Sequence, residues 1–237
     1  MLCPPEALDG NLEMQWLEQA LDGQSTAALW RGQPGLVAPL SYRRHAQMDV
    51  ACAASSAQGW PVRLRRSGGG VVPQGPGILN ITLAYPCAGA AGDRAERVYA
   101  HLCQLITQAL ATLGIAAFPG SVQGSFCDGR FNLAVSHLGS TRKIAGTAQY
   151  WRRDKGRQAV LAHALLIIDA EPDDLSAQAN RFEDALASGR RYDANALTSV
   201  AQCWQQAHQG VACPSDLMGQ MVQQLTRLLT PNLAIQN

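Results

Sequence analysis

Five segments of the chain repeat apolar residues at the three- and four-residue spacing of an amphipathic helix. The clearest is 93–113, where Val98 and Leu102 begin a long apolar stripe that Gly114 ends. The other predicted helices are residues 11–21, 48–57, 173–187 and 215–230. Ser215 is expected to cap the last of them, because its hydroxyl can accept a free N–H of the first turn.

A second pattern, alternation of apolar and polar residues, predicts strands. In residues 60–66, Val62 and Leu64 alternate with Arg63 and Arg65. Residues 29–40 are predicted to be an extended segment broken by Pro34-Gly35. Further strands are predicted at 78–85, 131–137, 142–151 and 158–168, with a hairpin tip at 152–156. Strands interspersed with helices predict an α+β fold, a mixed β-sheet with flanking helices. We expect a single domain over residues 1–237, with the C-terminal helix packed on it and no separate accessory domain.

Composition narrows the class of protein. The 237 residues are 47% hydrophobic and carry a formal net charge of +1, which favours a real core and argues against nucleic-acid or membrane binding. The N-terminus lacks the basic start and apolar core of a secretory signal. Seven cysteines without a CxxC pair indicate a reducing, cytoplasmic setting rather than disulfides or a zinc site, and the histidines show no metal-binding spacing.

The stretch RLRRSGGGVV carries the first candidate chemistry. The run Gly68, Gly69 and Gly70 lets the backbone turn sharply and lets a ligand approach its N–H groups. Arg65 and Arg66 offer charge-assisted donors to a phosphate, a carboxylate or an acyl carbonyl. The alternative is a tight turn with two solvated arginines.

The stretch SFCDG places Cys127 in a predicted turn, with an accessible thiol. A nucleophilic role would need thiolate character, which a nearby cation would favour. The alternative is one more buried free cysteine. A dyad of Cys127 with His137 or His163 is left open by the sequence.

The stretch RKIAGTAQ introduces a candidate cation. Strict alternation puts Lys143, Ala145 and Thr147 on one face of the strand and Ile144 and Gly146 on the other. A lysine followed by small residues could point into a pocket, where partial burial would lower its pKa. The alternative is an edge-strand lysine in water.

Taken together, RRSGGGVVPQGPGILNITLAYP and RKIAGTAQYWRR resemble the lipoate–protein ligase and octanoyltransferase family, to which biotin protein ligases are more distantly similar. The resemblance extends from the N-terminal helix to about Trp204. The stretch GSFCDGRFNL also resembles the SFCxGxxxL motif of one branch, whose octanoyl- and amidotransferases carry a cysteine nucleophile.

This resemblance implies an α/β fold of the biotin/lipoate ligase catalytic type, with an acyl chain lying beside the sheet. It implies that Cys127 is the nucleophile and that Lys143 holds the acyl carbonyl. The residues implied to bind the substrate are Arg65, Arg66, Ser67, Gly68, Gly69, Gly70, Ile144, Ala145 and Gly146.

The implied reaction moves a lipoyl or octanoyl group from an acylated carrier protein to a lysine of a lipoyl-domain protein. It would use a Cys127 thioester and no ATP, and the enzyme would act as a monomer. One alternative is a lipoate–protein ligase that uses ATP and Mg²⁺ to form lipoyl-adenylate. Another is a non-catalytic module that binds an acyl or biotin-like ligand.

Two departures weaken the ligase alternative. Ligases commonly have His-Asp after the glycine loop, where this chain has Pro73-Gln74, and many carry a C-terminal accessory domain. A third departure concerns the cysteine branch, because residues 136–141 look longer than in that branch. That difference puts the relative placement of Cys127 and Lys143 in question.

Overall fold

The structure, a computed structural model, describes residues 2–3, 10–88, 91–209 and 211–235. The strands in these ranges are β1 (Leu2–Cys3), β2 (Thr26–Trp30), β3 (Gly35–Pro39), β4 (Val62–Arg65), β5 (Val72–Gln74), β6 (Ile78–Pro86), β7 (Ala117–Pro119), β8 (Leu133–His137), β9 (Ser140–Asp154) and β10 (Arg157–Ile167). The helices are α1 (Gly10–Leu21), α2 (Met48–Ala57), α3 (Ala91–Ala111), α4 (Pro172–Ala185), α5 (Val200–Ala207) and α6 (Leu217–Ile235).

The strands form two sheets. The central sheet has the order β1-β2-β6-β10-β9-β8-β7, and a smaller sheet has the order β4-β3-β5. β1 and β2 are parallel, as are β3 and β4, whereas the other pairs are antiparallel. Each sheet is therefore mixed, and the predicted α+β class is confirmed.

Two tight hairpins build the middle of the central sheet. Leu138-Gly139 joins β8 to β9, and Lys155-Gly156 joins β9 to β10, with positive φ at all four residues. Two consecutive residues with positive φ make the turn whose twist matches that of the flanking strands. The hairpin tip predicted within 152–156 is confirmed.

One face of the central sheet is covered by α3 and α6. Leu102 and Ile106 of α3 and Met221 and Leu225 of α6 are fully buried in one apolar cluster with the sheet. This cluster explains the apolar stripes that predicted both helices. Within the described residues, none of the helices combines the length and apolarity needed to cross a bilayer.

The opposite face is covered in two parts. α1 covers one end, where Trp16 and Leu17 pack on Ala28 and Leu161. α2, α4 and the small sheet cover the other end around Phe182. Between the two apolar clusters, β6 and β10 carry a polar seam, which consists of Asn80, Thr82 and His163.

A β-bulge in β9 corrects the predicted faces of that strand. Leu133 pairs with Ala145 but the next residue, Ala134, pairs with Lys143, so Ile144 is the extra residue. Strict alternation was therefore the wrong expectation here. Ile144 and Ala145 both enter the core cluster under α3, while the Lys143 ammonium lies against Gly146.

Other differences from the sequence are local. β1, β5, β7 and α5 were not predicted, because each is shorter than the stretch over which apolar periodicity can be recognised. α6 begins at Leu217 rather than 215, and Asp216 instead of Ser215 accepts the N–H of Gly219 at 2.9 Å.

The packing of α6 can be tested by truncating its most buried leucine. Leu225→Ala should lower the free energy of unfolding by about 2–5 kcal/mol, since it leaves a cavity between α6 and α3. The exposed Gln223→Ala on the same helix should change it by less than about 0.5 kcal/mol. Urea unfolding followed by circular dichroism measures both, and equal losses would contradict the docked position of α6.

Candidate active site

The glycine loop between β4 and β5 is held by Arg65. Its guanidinium donates to the carbonyl oxygens of Val37 at 2.6 Å, Gly68 at 2.9 Å and Gly70 at 2.7 Å. Burial lowers the pKa of Arg65, although neighbouring Cys127 favours the charged form. Arg65 therefore fixes the loop from inside, with its own donors largely occupied.

Cys127 faces this loop across a short gap. Its Sγ accepts the N–H of Gly70 at 2.8 Å and lies 3.9 Å from the Arg65 guanidinium. Its φ is +50°, in the left-handed region, which costs a residue with a side chain about 1 kcal/mol or more. A strained backbone that directs a thiol at an N–H donor is typical of a functional site.

Lys143 and Asn132 hold this backbone in place. The Lys143 ammonium donates to the carbonyls of Phe126 and of Cys127, the second at 3.0 Å. The Asn132 amide also donates to the Cys127 carbonyl, and its Oδ1 accepts the N–H of Thr147 at 3.3 Å. The left-handed turn at Cys127 is therefore fixed by two side chains from β9 and the loop before β8.

Lys143 is buried, with 4% of its surface exposed, which rules out the alternative of a lysine in water. Burial lowers its pKa to about 8, although nearby Cys127 and Asp128 favour the charged form. An ammonium has three N–H donors. Two of them reach the carbonyls of the Cys127 loop, which leaves one for another acceptor.

Close approach of the two loops requires the glycines. A Cβ on Gly69 would overlap the Cys127 sulfur, and Gly69 also has a φ of +107°. A Cβ on Gly70 would stand 2.5 Å from the hydroxyl oxygen of Tyr192. A Cβ on Gly68, in contrast, would have no neighbouring atom within 4 Å. The close contacts therefore require glycine at positions 69 and 70 but not at position 68.

The structure therefore brings together Cys127, Lys143, Arg65, Gly69 and Gly70. Gly146 joins them, since the Lys143 Nζ would lie 3.1 Å from a Cβ at that position.

The remaining residues expected to bind substrate lie less directly in the site. Arg66 and Gly68 are exposed and Ser67 is half-buried. The side chains of Ile144 and Ala145 lie in the core on the opposite face of β9, so only their backbone could contact a ligand at the site. Substrate binding by these residues stays a prediction.

Neither histidine pairs with Cys127 in the described contacts. His137 is buried beside Cys203, with its Nδ1 4.0 Å from that sulfur. His163 lies in the polar seam, where its Nδ1 is 2.7 Å from a carboxylate oxygen of Glu13. Both rings therefore have other partners, and neither forms a Cys–His dyad with Cys127 in the described contacts.

The polar seam is a connected network on the same face of the sheet as Lys143. Thr82 donates to Glu13 at 2.8 Å, and the Nε2 of His163 is 3.2 Å from the Asn80 amide oxygen. Burial raises the pKa of Glu13, but His163, Thr82 and Arg65 outweigh it and hold the pKa below its usual range. The Coulombic influence of Arg65 on Glu13 links the seam electrostatically to the glycine loop.

The buried cysteines Cys103 and Cys203 differ in their surroundings from Cys127, which is half-buried. Burial raises the pKa of Cys103 to about 11 and also raises that of Cys203. Cys103 donates its thiol proton to the Phe131 carbonyl at 3.2 Å. These two thiols are packed as neutral groups, which agrees with the interpretation of most cysteines as small hydrophobes.

Sequence reasoning missed Asn132, Tyr192 and Glu183. Asn132 stands in the stretch GSFCDGRFNL, five residues after Cys127, but nothing in the pattern indicates that its amide turns back to the Cys127 carbonyl. Tyr192 and Glu183 lie far along the chain, and only the fold places them beneath the glycine loop.

The geometry agrees with a comparison with known families. The family model of the lipoyl protein ligase A/B catalytic domain matches residues 11–210. The chain belongs to this family. It is accordingly an enzyme of the lipoate ligase and octanoyltransferase type, which confirms the resemblance noted in its motifs.

Relatives within the family differ in how much of their length the chain covers. An uncharacterised protein of Cupriavidus necator is 46% identical over 223 residues, which are 91% of this chain and 88% of that protein. An octanoyl-GcvH:protein N-octanoyltransferase of Kyrpidia tusciae is 35% identical over 190 residues, which are 76% of this chain and 63% of that enzyme. The chain thus spans less than two thirds of the named transferase.

Solved structures agree on the fold. Lipoate-protein ligase A bound with ATP has a TM-score of 0.62 at 18% identity, covering 97% of this chain and 85% of that one. The bipartite lipoate protein ligase of Thermoplasma acidophilum, described with its E2 lipoyl domain, has a TM-score of 0.61 at 20% identity, covering 97% and 83%.

Two neighbouring glycines provide a matched test of the site. Gly69→Ala should slow alkylation of Cys127 by iodoacetamide at least about tenfold, because the new Cβ displaces the sulfur from Gly70. Gly68→Ala should change the rate by less than about twofold, since that position is open. Peptide mass spectrometry at Cys127 measures both rates, and similar rates in the two variants would contradict the close approach of the loops.

Proposed function

We propose that this enzyme transfers an octanoyl or lipoyl group to a lysine of a lipoyl-domain protein through a thioester on Cys127, without ATP. The observation that carries the proposal is the placement of the sulfur. A thiol in a strained loop accepts an N–H from the glycine loop at 2.8 Å, beside a buried lysine. Among the described cysteines, Cys87 also has a guanidinium at 3.9 Å, that of Arg94, but only Cys127 combines such a cation with a backbone N–H donor and a left-handed turn.

Thiolate formation is the first requirement of this chemistry. A negative sulfur at this position keeps the hydrogen bond from Gly70 and faces the guanidinium of Arg65 at 3.9 Å. The ammonium of Lys143 contacts the backbone of the same residue. These groups place a hydrogen-bond donor and two positive charges around the sulfur that would react.

In the first half-reaction, Sγ attacks the carbonyl carbon of the acyl donor. A carbon–sulfur bond forms, the bond from the acyl carbon to the donor breaks, and the donor leaves with the proton that the thiol gave up. The carbonyl oxygen becomes negative in the transition state and needs a donor. The third N–H of Lys143, which the Cys127 loop does not use, supplies a candidate.

In the second half-reaction, the amine of an acceptor lysine attacks the thioester. A carbon–nitrogen bond forms, the carbon–sulfur bond breaks, and the proton lost by the amine returns to the thiol. The chain is regenerated, and no nucleotide is consumed. The overall transfer therefore needs only a donor whose acyl bond is already activated, or a donor amide similar in free energy to the amide that is formed.

The glycine-loop sequence supports a reaction without ATP. Ligases commonly have His-Asp where this chain has Pro73-Gln74. The Gln74 amide is buried and pairs in both directions with the Asn80 amide, at 2.8 and 2.9 Å. Gln74 is uncharged, and both the nitrogen and the oxygen of its amide are engaged with Asn80, so Pro73-Gln74 lacks the charge that His-Asp would offer a triphosphate or its Mg²⁺ and does not fit that cofactor.

The names of the relatives support particular partners. The transferase of Kyrpidia tusciae is named for octanoyl-GcvH as donor and protein as acceptor. We extend this to the present chain as an acylated carrier protein that donates and a lipoyl-domain protein that accepts. The cytoplasm keeps free thiols reduced, so we place the reaction there.

The thioester is tested by intact-protein mass spectrometry. Purified enzyme mixed with octanoyl-GcvH, or with an octanoyl-loaded acyl carrier protein, should gain one octanoyl group without ATP, and hydroxylamine should remove it. Cys127→Ala should gain none, whereas Cys52→Ala, which removes another half-buried thiol, should behave as wild type.

Two results would overturn the proposal. Either transfer survives Cys127→Ser unchanged, or an acyl group appears on the acceptor only when free lipoate and ATP are supplied. The second result would favour the ligase mechanism.

The pKa of Lys143 predicts an alkaline limit to the first half-reaction. Because burial lowers its pKa to about 8, the side chain is an ammonium below that pH and a neutral amine above it. We expect the single-turnover acylation rate to fall as pH rises through about 8, and Lys143→Arg to lack this fall if it remains active. A wild-type rate that climbs steadily to pH values well above 8, with the fold intact by circular dichroism, would contradict an ammonium role.

A further inference from the structure

A buried carboxylate anchors two tyrosines beneath the glycine loop. The hydroxyls of Tyr42 and Tyr192 donate to the same oxygen of Glu183, at 2.6 and 2.8 Å, and Glu183 is fully buried. Burial raises the pKa of Tyr42 to about 12, and burial together with Glu183 raises that of Tyr192. Both phenols therefore keep their protons at neutral pH and remain donors.

Tyr192 contacts both loops that surround the sulfur. Its hydroxyl oxygen lies 2.5 Å from the position that a Cβ on Gly70 would take, so it presses against the loop that donates to Sγ. The ring packs edge-on against Phe126, with centroids 4.9 Å apart. Phe126 precedes Cys127, and its carbonyl accepts from Lys143.

Tyr192 is itself held from α4 and from the Cys127 side. The Asn180 amide accepts the Tyr192 N–H at 2.8 Å and donates to its carbonyl at 2.9 Å. The next residue, Asp193, donates its N–H to the Gly124 carbonyl at 2.9 Å. The phenol thus has a fixed position from which it can set the spacing of the two loops.

We propose that Tyr192, anchored by Glu183, is a positioning residue that sets the distance between Gly70 and Cys127. It acts through Gly70 and Phe126. The inference deepens the proposed function and rests on it, because a sulfur that loses the Gly70 N–H loses a donor that stabilises its negative charge.

Tyr42 provides the matched control. It donates to the same carboxylate oxygen, is also buried and shares an apolar cluster with Phe126, but it is not among the atoms nearest a Cβ on Gly70. Tyr192→Phe and Tyr42→Phe therefore each remove one hydroxyl from Glu183, and only the first removes a contact with the glycine loop.

The test compares Cys127 alkylation, thermal stability and octanoyl-transfer kinetics in the two variants. Tyr192→Phe should slow alkylation about tenfold and lower kcat more than it raises KM. Tyr42→Phe should lower Tm by a similar amount and leave alkylation within about twofold. Equal alkylation rates in the two variants would overturn the inference.

A double variant tests the contact itself. Gly70→Ala should slow alkylation, since its Cβ would meet the Tyr192 hydroxyl at 2.5 Å. Adding Tyr192→Phe removes that oxygen and should restore part of the rate, a non-additive result expected only for residues in contact. If the fold-decrease in alkylation rate of the double variant equals the product of the two single decreases, the result would count against the inference.

Alkylation does not depend on the acyl donor, so the two proposals can fail separately. Altered alkylation without any octanoyl adduct on wild type would reject acyl transfer and keep the positioning role. An octanoyl adduct on wild type, together with identical alkylation rates in both tyrosine variants, would keep acyl transfer and reject the positioning role.

Discussion

The burial of one positive charge organises this site. A lysine ammonium taken out of water is stable only if oxygen atoms replace its hydration, and the carbonyls of Phe126 and Cys127 do so for Lys143. Those carbonyls converge on one nitrogen where the chain turns through the left-handed conformation at Cys127. The charge and the strained loop therefore depend on each other, and the thiol is directed at the glycine loop as a consequence.

The glycine loop is the second half of the same arrangement. Arg65 holds it through three carbonyl oxygens, which leaves the N–H of Gly70 directed at the sulfur. Side chains at Gly69 or Gly70 would collide with Cys127 or Tyr192. The arginine thus acts as an internal support, and the bare backbone is what allows the loops to meet. This explains why charge and glycine adjoin in RRSGGG.

The fold alone leaves the reaction open. Lipoate-protein ligase A, bound with ATP, has the same type of fold at 18% identity. A fold can host different chemistries, because the reaction depends on the groups placed in the site. In this chain those groups include a thiol with a backbone donor and a paired, uncharged amide at Gln74. Our proposal of thioester transfer rests on that local difference.

The sequence by itself determined the long helices, the hairpin at 152–156 and the mixed α+β class, because apolar periodicity and turn residues report local structure. It also identified Cys127, Lys143 and the glycine loop as candidates. It misassigned the faces of β9, since a single extra residue at Ile144 depends on pairing with β8 and moves Lys143 onto the face of Gly146. Asn132, Glu183 and Tyr192 were likewise decided only by tertiary structure, because hydrogen bonds between residues distant in sequence leave no periodic signal.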